Sequence, residues 1–446
     1  MPIDSILSRH LIFPAGDYIK RTKSLQYLKY LNRTQWLKPE ELRQIQEQKL
    51  RHLIEYAYNN VPYYHKLFRS NGLTPDQIRT VDDLSKIPPL TKDLIRANGP
   101  DLLSSSVSRM YRNTSGGTTG DPLVSYKDLN TMGCSLSSTY RGWSWGGYNP
   151  GDRYATLWRS PDTINKYSSG INRVQNALRR NLLLNCFDIG RENMYAHAVT
   201  LNKYKPKIIR SSPSAGFAMA EFLGAESVER PSPMAFFTAA EKLYSFQRKR
   251  IESIFSCDVF DSYGSNEIRA MAYECEEHCG YHISVENVVI EFLSNGEKTS
   301  PGELGEIIIT DLTNFAMPFL RYRIGDVGIP SDETCSCGRG LPLLHSIEGR
   351  SNSIVQTKDK GLLKSSFFAD LLIDSHLVEN FQIIQNSPSS ADVRIQGSDA
   401  SEREKILLLL RENLGEFDIN LSHVSHIEPA RSGKLQLVIS NIPLEL

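Results

Sequence analysis

Four short segments gather residue types that could do chemistry. Thr114-Ser115-Gly116-Gly117-Thr118-Thr119-Gly120-Asp121-Pro122 packs hydroxyls and glycines together with no bulky side chain. Glycines let backbone N–H groups approach a polyanion and hydroxyls add donors, so this stretch suits a phosphate-holding loop. No Lys follows Gly120, so it is not the Walker pattern, and the plainer alternative is a polar surface turn. Asp261-Ser262-Tyr263-Gly264-Ser265-Asn266-Glu267 follows an apolar pair, Val259-Phe260. There an aromatic beside glycine can face a purine and a carboxylate can hold Mg²⁺, or the segment is only a turn capped by Glu267. Phe319-Leu320-Arg321-Tyr322-Arg323-Ile324-Gly325-Asp326 sets an Asp after a Gly, where one carboxylate can accept both hydroxyls of a ribose. A salt-bridged Arg/Asp turn is the alternative. Arg431-Ser432-Gly433-Lys434 presents either one mobile ammonium on a short turn or a solvated hairpin tip.

A fifth group is a metal candidate. Cys275, His278, Cys279 and His282 lie close together, and Cys335-Ser336-Cys337 follows later. Thiolate and imidazole at such spacings suit tetrahedral Zn²⁺ pinning two loops, against the alternative of reduced, unligated cysteines. Cys134, Cys186 and Cys257 read as core residues.

The 446 residues carry 51 basic and 51 acidic side chains and 7 Cys, with 40 % apolar and 23 % charged residues. Zero net charge argues against an electrostatic nucleic-acid binder, and the ordinary apolar content argues against a disordered chain. An odd cysteine count in a long chain argues against a full disulfide framework. No window reaches the roughly 18 consecutive apolar residues of a membrane span. Asp4, Arg9, Asp17, Lys20 and Arg21 interrupt any signal-peptide core, so the expected compartment is the cytoplasm. Ile6, Leu7, Leu11, Ile12 and Phe13 can pack or can touch a membrane surface, and packing is the expectation.

These candidates need a scaffold. Leu42, Ile45, Leu50, Leu53, Ile54 and Ala57 fall at helical spacing from Pro39, and Asn59, Asn60 and Pro62 stop the helix. Further helical pieces are expected at Tyr63–Phe68 and Val81–Leu84. Ile208-Ile209, the helix Ala215–Leu223, Ala235–Phe237, the helix Glu241–Ile254 and Val259-Phe260 alternate as in a largely parallel α/β sheet, whose carboxyl-end loops hold ligands. Val288–Leu293 and Glu306–Thr310 read as an antiparallel, β-rich section. After Arg350 come expected strands at Phe381–Gln385 and Ala391–Ile395, a helix at Glu402–Leu414, and strands at Val424–Ile427 and Leu435–Ile439. The fold class is therefore α/β. Residues 1–350 form a large N-terminal domain of several subdomains, with mixed sheets, a β-rich section and N-terminal helices over about 1–100. Residues 351–446 form a small α+β C-terminal domain.

Taken together, Ser115–Pro122, Tyr263–Glu267, Tyr322–Asp326, Gly349-Arg350 and Gly433-Lys434 resemble, in order and approximate spacing, the adenylate-forming (acyl-CoA synthetase-like) superfamily. Within it the phenylacetate-CoA ligase and CapK-like branch fits best. Ala57–Tyr64, Ala240-Glu241-Lys242-Leu243, Thr310–Asn314, Ala316-Met317-Pro318 and Cys335–Arg339 also resemble that branch. The resemblance spans about residues 40 to 440.

It implies an AMP-binding adenylation domain, a mobile C-terminal lid and two half-reactions. A carboxylate attacks the α-phosphate of ATP, and a thiol, usually that of CoA, then takes the acyl group. By matching position, Thr118, Thr119 and Gly120 hold the β- and γ-phosphates, in a loop with Ser115, Gly116 and Gly117. Tyr263 and Gly264 lie against adenine, with Ala240, Glu241, Asp261, Ser265 and Asn266 beside the nucleotide. Glu267 binds Mg²⁺, Asp326 the ribose, and Arg350 sits near ribose or phosphate at the hinge. Lys434 reaches the α-phosphate and carboxylate during adenylation only. The branch's Cys-and-His pattern selects Cys275, His282, Cys335 and Cys337 for a structural Zn²⁺. Gly116, Asn266 and Asn352 stand where Ser, Thr or Ser, and Asp are commoner. Ser211-Ser212-Pro213 replaces an aromatic-Pro-Ser found in the branch. The expected substrate is a small carboxylic acid, in a pocket near Trp158, Ser211–Ser214 and Ala239–Glu241. Tyr154, Trp158, Phe236 and Phe237 would suit a flat acid but serve equally as core. The resemblance also admits an acceptor other than CoA, a sugar amine or carrier protein in capsular or surface-polysaccharide synthesis. A non-catalytic nucleotide-binding scaffold is the third class.

Overall fold

The computed structural model describes residues 5–114, 122–158, 170–397, 402–428 and 435–446. Ser115, Gly116, Gly117, Thr118, Thr119, Gly120 and Lys434 thus lie outside the described residues.

The long helix Pro39–Asn60 starts where the sequence says it should. Pro39 occupies its first turn, and the Lys38 backbone N–H donates to Glu41 Oε2 at 3.0 Å, so a proline and a carboxylate answer two orphan-donor positions. Leu42, Leu50, Leu53, Ile54 and Ala57 form its buried face. Pro62 forces Val61 into an extended conformation and starts the next helix, Pro62–Ser70. Residues Asp82–Lys86, by contrast, make only a short 3₁₀ turn.

The strands run in chain order as β1 (Tyr111–Thr114), β2 (Val124–Lys127), β3 (Tyr154–Trp158), β4 (Asn181–Asn185), β5 (Ile208–Ser211), β6 (Ala235–Ala239) and β7 (Asp258–Tyr263). They continue as β8 (Ala272–Glu274), β9 (Tyr281–Ile283), β10 (Val288–Ser294), β11 (Glu297–Lys298), β12 (Gly305–Asp311), β13 (Tyr322–Pro330) and β14 (Leu343–Arg350). Among the described residues, β3 to β14 build one sheet in the order β11-β10-β12-β13-β14-β9-β8-β7-β6-β5-β3-β4. The half from β4 to β7 is parallel, and the remaining pairings are antiparallel. Helices Arg191–Tyr204, Pro213–Ala225 and Ser245–Phe255 bury Met194, Met219, Leu223, Ile251 and Ile254 against the parallel half. The N-terminal helices bury their apolar faces against the antiparallel half, where Ile307, Ile309 and Tyr322 share one core with Leu50, Leu53 and Ile54. The expected helix over Glu241–Ile254 begins only at Ser245. Ala240 has φ 77°, a left-handed conformation that ends β6 in a turn instead.

Past β14 the chain builds a second, smaller sheet system. Strands β15 (Ile354–Thr357) and β16 (Gly361–Lys364) pair as a hairpin. Strands β17 (Asn380–Ser387), β18 (Ser390–Gln396), β19 (Asp418–His423) and β20 (Val438–Ser440) form a four-stranded sheet in the order β19-β18-β17-β20. Helix Arg403–Leu414 covers it, and Phe381, Ile383, Val393, Ile406 and Leu410 make a separate core. The strand expected at Val424–Ile427 lies instead at Asp418–His423. Gly415, at φ 75°, ends the helix abruptly, so the chain enters the sheet earlier. Val424 and Ile427 are three apart and cannot share one face of a strand.

Two buried ion pairs tie the N-terminal helices to the sheet. Arg141 donates to Glu286 at 2.7 Å and to Ser284 Oγ at 2.9 Å, and Thr34 Oγ1 donates to the same Glu286 oxygen at 2.6 Å. Arg321 pairs with Glu291 at 3.1 Å and donates to Ile87 O at 2.7 Å. Both pairs are buried, so removing one partner would strand a charge at a cost of about 3–5 kcal/mol. Their value lies in fixing which helix meets which strand.

Candidate active site

The site is assembled at the seam between the parallel and antiparallel halves. Strand β7 ends at Tyr263, and the chain turns at once at Gly264. A Cβ at Gly264 would stand 2.9 Å from the Ala270 nitrogen, so only glycine fits. Ser265 closes the turn, its N–H donating to Ile268 O and its Oγ accepting from Ile268 N–H. Glu267 is thereby held, buried, beside the strand end.

Asp326 lies on β13 directly opposite Arg350 on β14. The Tyr263 hydroxyl donates to Asp326 Oδ2 at 2.9 Å, and Arg350 Nε lies 3.2 Å from Asp326 Oδ1. Arg350 also donates to Ile324 O at 3.0 Å. Asp326 raises the Arg350 pKa beyond its usual value, with Glu267 and Tyr263 adding to it, and burial pushes the Tyr263 phenol well up, reinforced by Asp326. Three segments far apart in sequence therefore converge on one carboxylate. Gly325, at φ 84°, leaves space beside it, because a Cβ there would stand 3.5 Å from Lys92 Nζ and 3.7 Å from Arg350.

Sequence reasoning missed three residues here. Lys92 opens the helix Lys92–Ala97, capped by Thr91. Backbone bonds from Leu90 N to Arg321 O and from Arg323 N to Leu90 O, both 2.9 Å, deliver it to the site. Burial, then Arg350, lower its pKa, while Glu267 and Asp326 oppose them. Tyr322 sets its hydroxyl, buried and without a hydrogen-bond partner among the described residues, in the field of Glu267, Arg350 and Asp326. Lys127 on β2 donates to Asn266 O at 2.7 Å, joined by Asn113 Nδ2 from β1 at 2.9 Å. Burial, reinforced by Arg269, pushes Lys127 down to about 7. No local motif announced Lys92 or Lys127, since each acts through a partner distant in sequence, while Tyr322 opened the segment Tyr322–Asp326 without a role of its own. The β1–β2 hairpin that carries Asn113 and Lys127 is the stem of the segment 115–121.

The remaining candidates fall apart from that cluster. Asp261 turns into the sheet, accepting from Thr238 Oγ1 at 2.5 Å and Tyr281 OH at 2.7 Å, and burial together with Glu274 raises it to about 7. Glu241 follows the strained Ala240 and accepts from the Ser214 N–H at 3.1 Å, at the start of helix Pro213–Ala225. Tyr154, Phe236 and Phe237 are core residues, while Trp158 is half-buried with the Arg210 guanidinium 5.0 Å from its ring.

Cys275, His282, Cys335 and Cys337 form the cluster that the sequence suggested, with their ligand atoms all within 4.8 Å of one another. Cys275 and Cys335 sulfurs are 3.6 Å apart, and Cys337 Sγ lies 3.3 Å from His282 Nε2. His282 Nδ1 is 3.1 Å from Leu341 O, which leaves Nε2 as the ring's free lone pair, and burial lowers its pKa to about 4. Although burial alone would raise the Cys337 thiol, the Arg339 backbone and guanidinium outweigh it and lower it, whereas burial pushes the Cys275 and Cys335 thiols up. Neutral imidazole and thiolate are the forms that a tetrahedral metal takes, and the separations match edges of such a site. His278 is turned away, beside Glu274 and Arg248, and Cys279 is exposed.

Beyond Arg350, Glu348 fastens the C-terminal region down. It accepts from Lys242 at 2.5 Å and lies 3.2 Å from Lys364, and Lys242 also donates to Ser366. Tyr244 donates to Ser365 and joins the C-terminal core. Burial would raise Glu348, but the two lysines and Ser346 hold it at about 2, whereas burial outweighs the single carboxylate at Lys242 and lowers that lysine.

The fold and the site define a class before any particular relative does. Over 92 % of each chain the structure superposes, with TM-score 0.75 and 17 % identity, on 2-hydroxyisobutyryl-CoA ligase in the postadenylation state with its acyl-AMP. The chain thus has the fold of the adenylate-forming CoA ligases. Protein CapK of Staphylococcus aureus is 24 % identical over 90 % of both chains. Phenylacetate-coenzyme A ligase of Thermus thermophilus is 26 % identical over 86 % of this chain and 87 % of its own. The family model of the CapK C-terminal domain matches residues 355–441. Its relatives in sequence are thus phenylacetate-CoA ligases and CapK, and its neighbours in structure are CoA ligases.

One consequence concerns Glu348. Its folded pKa lies below the unfolded value of 4.5, so its stabilisation is present above pH 4.5 and is lost as the pH falls toward 2. Glu348→Gln should cost about 2–3 kcal/mol in urea denaturation at pH 7, and the gap between variant and parent should close near pH 2–3. A constant gap across that range would contradict the assignment.

Proposed function

We propose that this chain activates a carboxylic acid as its acyl-adenylate and then passes the acyl group to CoA. The observation that carries this reading is the Tyr263–Asp326–Arg350 constellation within a fold shared with acyl-AMP-binding ligases. In the first step the acid's carboxylate oxygen bonds to the α-phosphorus of ATP, and the bond from that phosphorus to the bridging oxygen breaks, releasing pyrophosphate. In the second step a thiol sulfur bonds to the acyl carbon, AMP leaves, and the thiol proton is lost. Asp326 accepts the ribose hydroxyls, fixed by Tyr263 and Arg350. Glu267 would hold Mg²⁺, which supplies charge neutralisation on the phosphates when bound. Arg350 and Lys92 add positive charge where the polyphosphate lies, and the loop Ser115, Gly116, Gly117, Thr118, Thr119 and Gly120 supplies donors from the stem set by Asn113 and Lys127. Lys434 serves adenylation from the C-terminal lid, which we begin at residue 351 and which must swing for the second step. The cytoplasm suits this chemistry, and no helix among the described residues is long and apolar enough to cross a membrane.

A second reading differs only in the acceptor. The match of residues 355–441 to the CapK C-terminal domain favours transfer to a sugar amine or carrier in surface-polysaccharide synthesis. Pyrophosphate exchange into ATP against a panel of aryl, short-chain, amino and sugar acids tests both readings. Exchange should depend on one acid class and be lost in Lys434→Ala, and CoA-dependent AMP release should identify the thiol as acceptor. Acid-dependent exchange with no response to CoA would favour the second reading, and exchange indifferent to Lys434 would contradict the lid assignment.

For Cys275, His282, Cys335 and Cys337 the proposal is a structural Zn²⁺ joining the 275–282 loop to the 335–337 loop. Metal analysis of the purified chain should find one zinc per molecule, and Cys335→Ser with Cys337→Ser should lose the metal and lower the melting temperature. A metal-free chain of unchanged stability would refute it.

A further inference from the structure

The helical segment from Ser5 to Lys20 is docked by one face and leaves the other bare. Its inner side is tightly held. Ser8 is buried, the Phe13 ring lies 5.9 Å from Tyr140, and Arg9 reaches Asp152 at 3.4 Å. A Cβ at Gly151 would come within 3.0 Å of the Arg9 backbone, and one at Gly133 would collide with the Thr22 carbonyl, so two glycines let the segment sit down on the fold. Sequence reasoning expected the apolar residues here to pack. Ile12 and Phe13 are half-buried, but Leu7 and Leu11 point outward.

Leu7, Leu11, Pro14 and Tyr18 are spaced four, three and four residues apart, a helical stripe, and all are exposed. Leu11 is 61 % exposed, Tyr18 85 % and the adjacent Ile19 78 %. Val174 and Leu178, four apart on the helix Gly170–Leu178, are exposed as well. The turn after that helix reaches the same region, since Arg180 donates to Gly151 O at 2.8 Å, and Gly151 abuts Arg9. The charge around the stripe has one sign. Residues 5–23 hold Arg9, Lys20, Arg21 and Lys23 against one acid, in a chain whose net charge is zero. That acid, Asp17, is turned inward, accepting from Thr22 Oγ1, from the Ser24 hydroxyl and backbone N–H, and from the Leu25 N–H. Lys20, Arg21 and Lys23 are exposed at the end of the stripe, and Arg173 lies on the neighbouring helix.

We propose that this apolar stripe with its basic rim is a docking surface for an anionic lipid bilayer, on which the segment lies flat while the rest of the molecule stays in water. Leucines with one tyrosine on the outer face and lysine and arginine at the edge are the composition of an interfacial helix. The inference is independent of the proposed reaction.

Flotation of the full chain with vesicles tests it. The chain should float with phosphatidylcholine–phosphatidylglycerol vesicles, remain behind with phosphatidylcholine alone, and be released by high salt. Each basic residue near an anionic surface contributes about fivefold, so Lys20→Glu with Arg21→Glu and Lys23→Glu should weaken binding roughly a hundredfold or more. Leu11→Asp with Tyr18→Asp should abolish it, with an unchanged circular dichroism spectrum in both variants. No flotation with the mixed vesicles, or flotation that these substitutions leave unchanged, would overturn the proposal. So would a dimer, seen by analytical ultracentrifugation, that Leu11→Asp dissociates.

Discussion

The carboxylate of Asp326 is the point on which the site depends. A tyrosine from the end of the parallel half and an arginine from the last strand of the antiparallel half both bind it. In a poorly solvated setting, such charge-assisted bonds are shorter and stronger than neutral ones and are costly to break singly. They fix the seam between the two halves of the sheet. Because Arg350 ends β14, they also fix the point at which the chain leaves for its C-terminal region. One set of contacts thus ties the seam of the sheet to the start of the C-terminal region.

Around that point the protein concentrates charge that it does not fully neutralise. Lys92, Arg350, Glu267 and Asp326 act on one another, and the Tyr322 hydroxyl is buried with no partner among the described residues. A fold optimised only for stability would pair these groups, and preorganised, partly unpaired polar groups are what a site for a charged ligand requires. On the far side of the hinge the logic is reversed. Glu348 is paired with two lysines, and Tyr244 plugs into the C-terminal core. That latch holds the C-terminal region in the arrangement seen, and it rests on few residues, as a part that must let go requires.

Much of this was legible in the sequence, for physical reasons that differ from element to element. The helix Pro39–Asn60 declared itself by period and by proline at both ends. The parallel strands declared themselves as short apolar runs between amphipathic ones. Tyr263, Glu267, Asp326 and Arg350 were readable because they sit in short segments whose turns demand glycine, and the structure brings them together. Cys275, His282, Cys335 and Cys337 were readable by residue type, and the resemblance already preferred His282 to His278. Lys92 and Lys127 were not readable. Each looks like a surface or core residue in its own neighbourhood and gains meaning only through strand pairing across the chain. Asp261 misled in the opposite way, because a carboxylate beside Tyr263 and Gly264 looks available until Thr238 and Tyr281 claim it. The strand at Asp418–His423 was hidden by its polar edge, where sheet pairing outweighs composition.

The most direct test of the central claim is calorimetric titration of ATP, with Mg²⁺, into the parent chain and into Asp326→Ala. If Asp326, held by Tyr263 and Arg350, is the nucleotide's seat, the parent binds and the variant loses at least about tenfold in affinity, the loss of one charge-assisted bond. The variant's melting temperature should fall as well, so the two affinities are compared at a temperature where circular dichroism shows both proteins folded. Equal affinity in the two proteins would contradict the account.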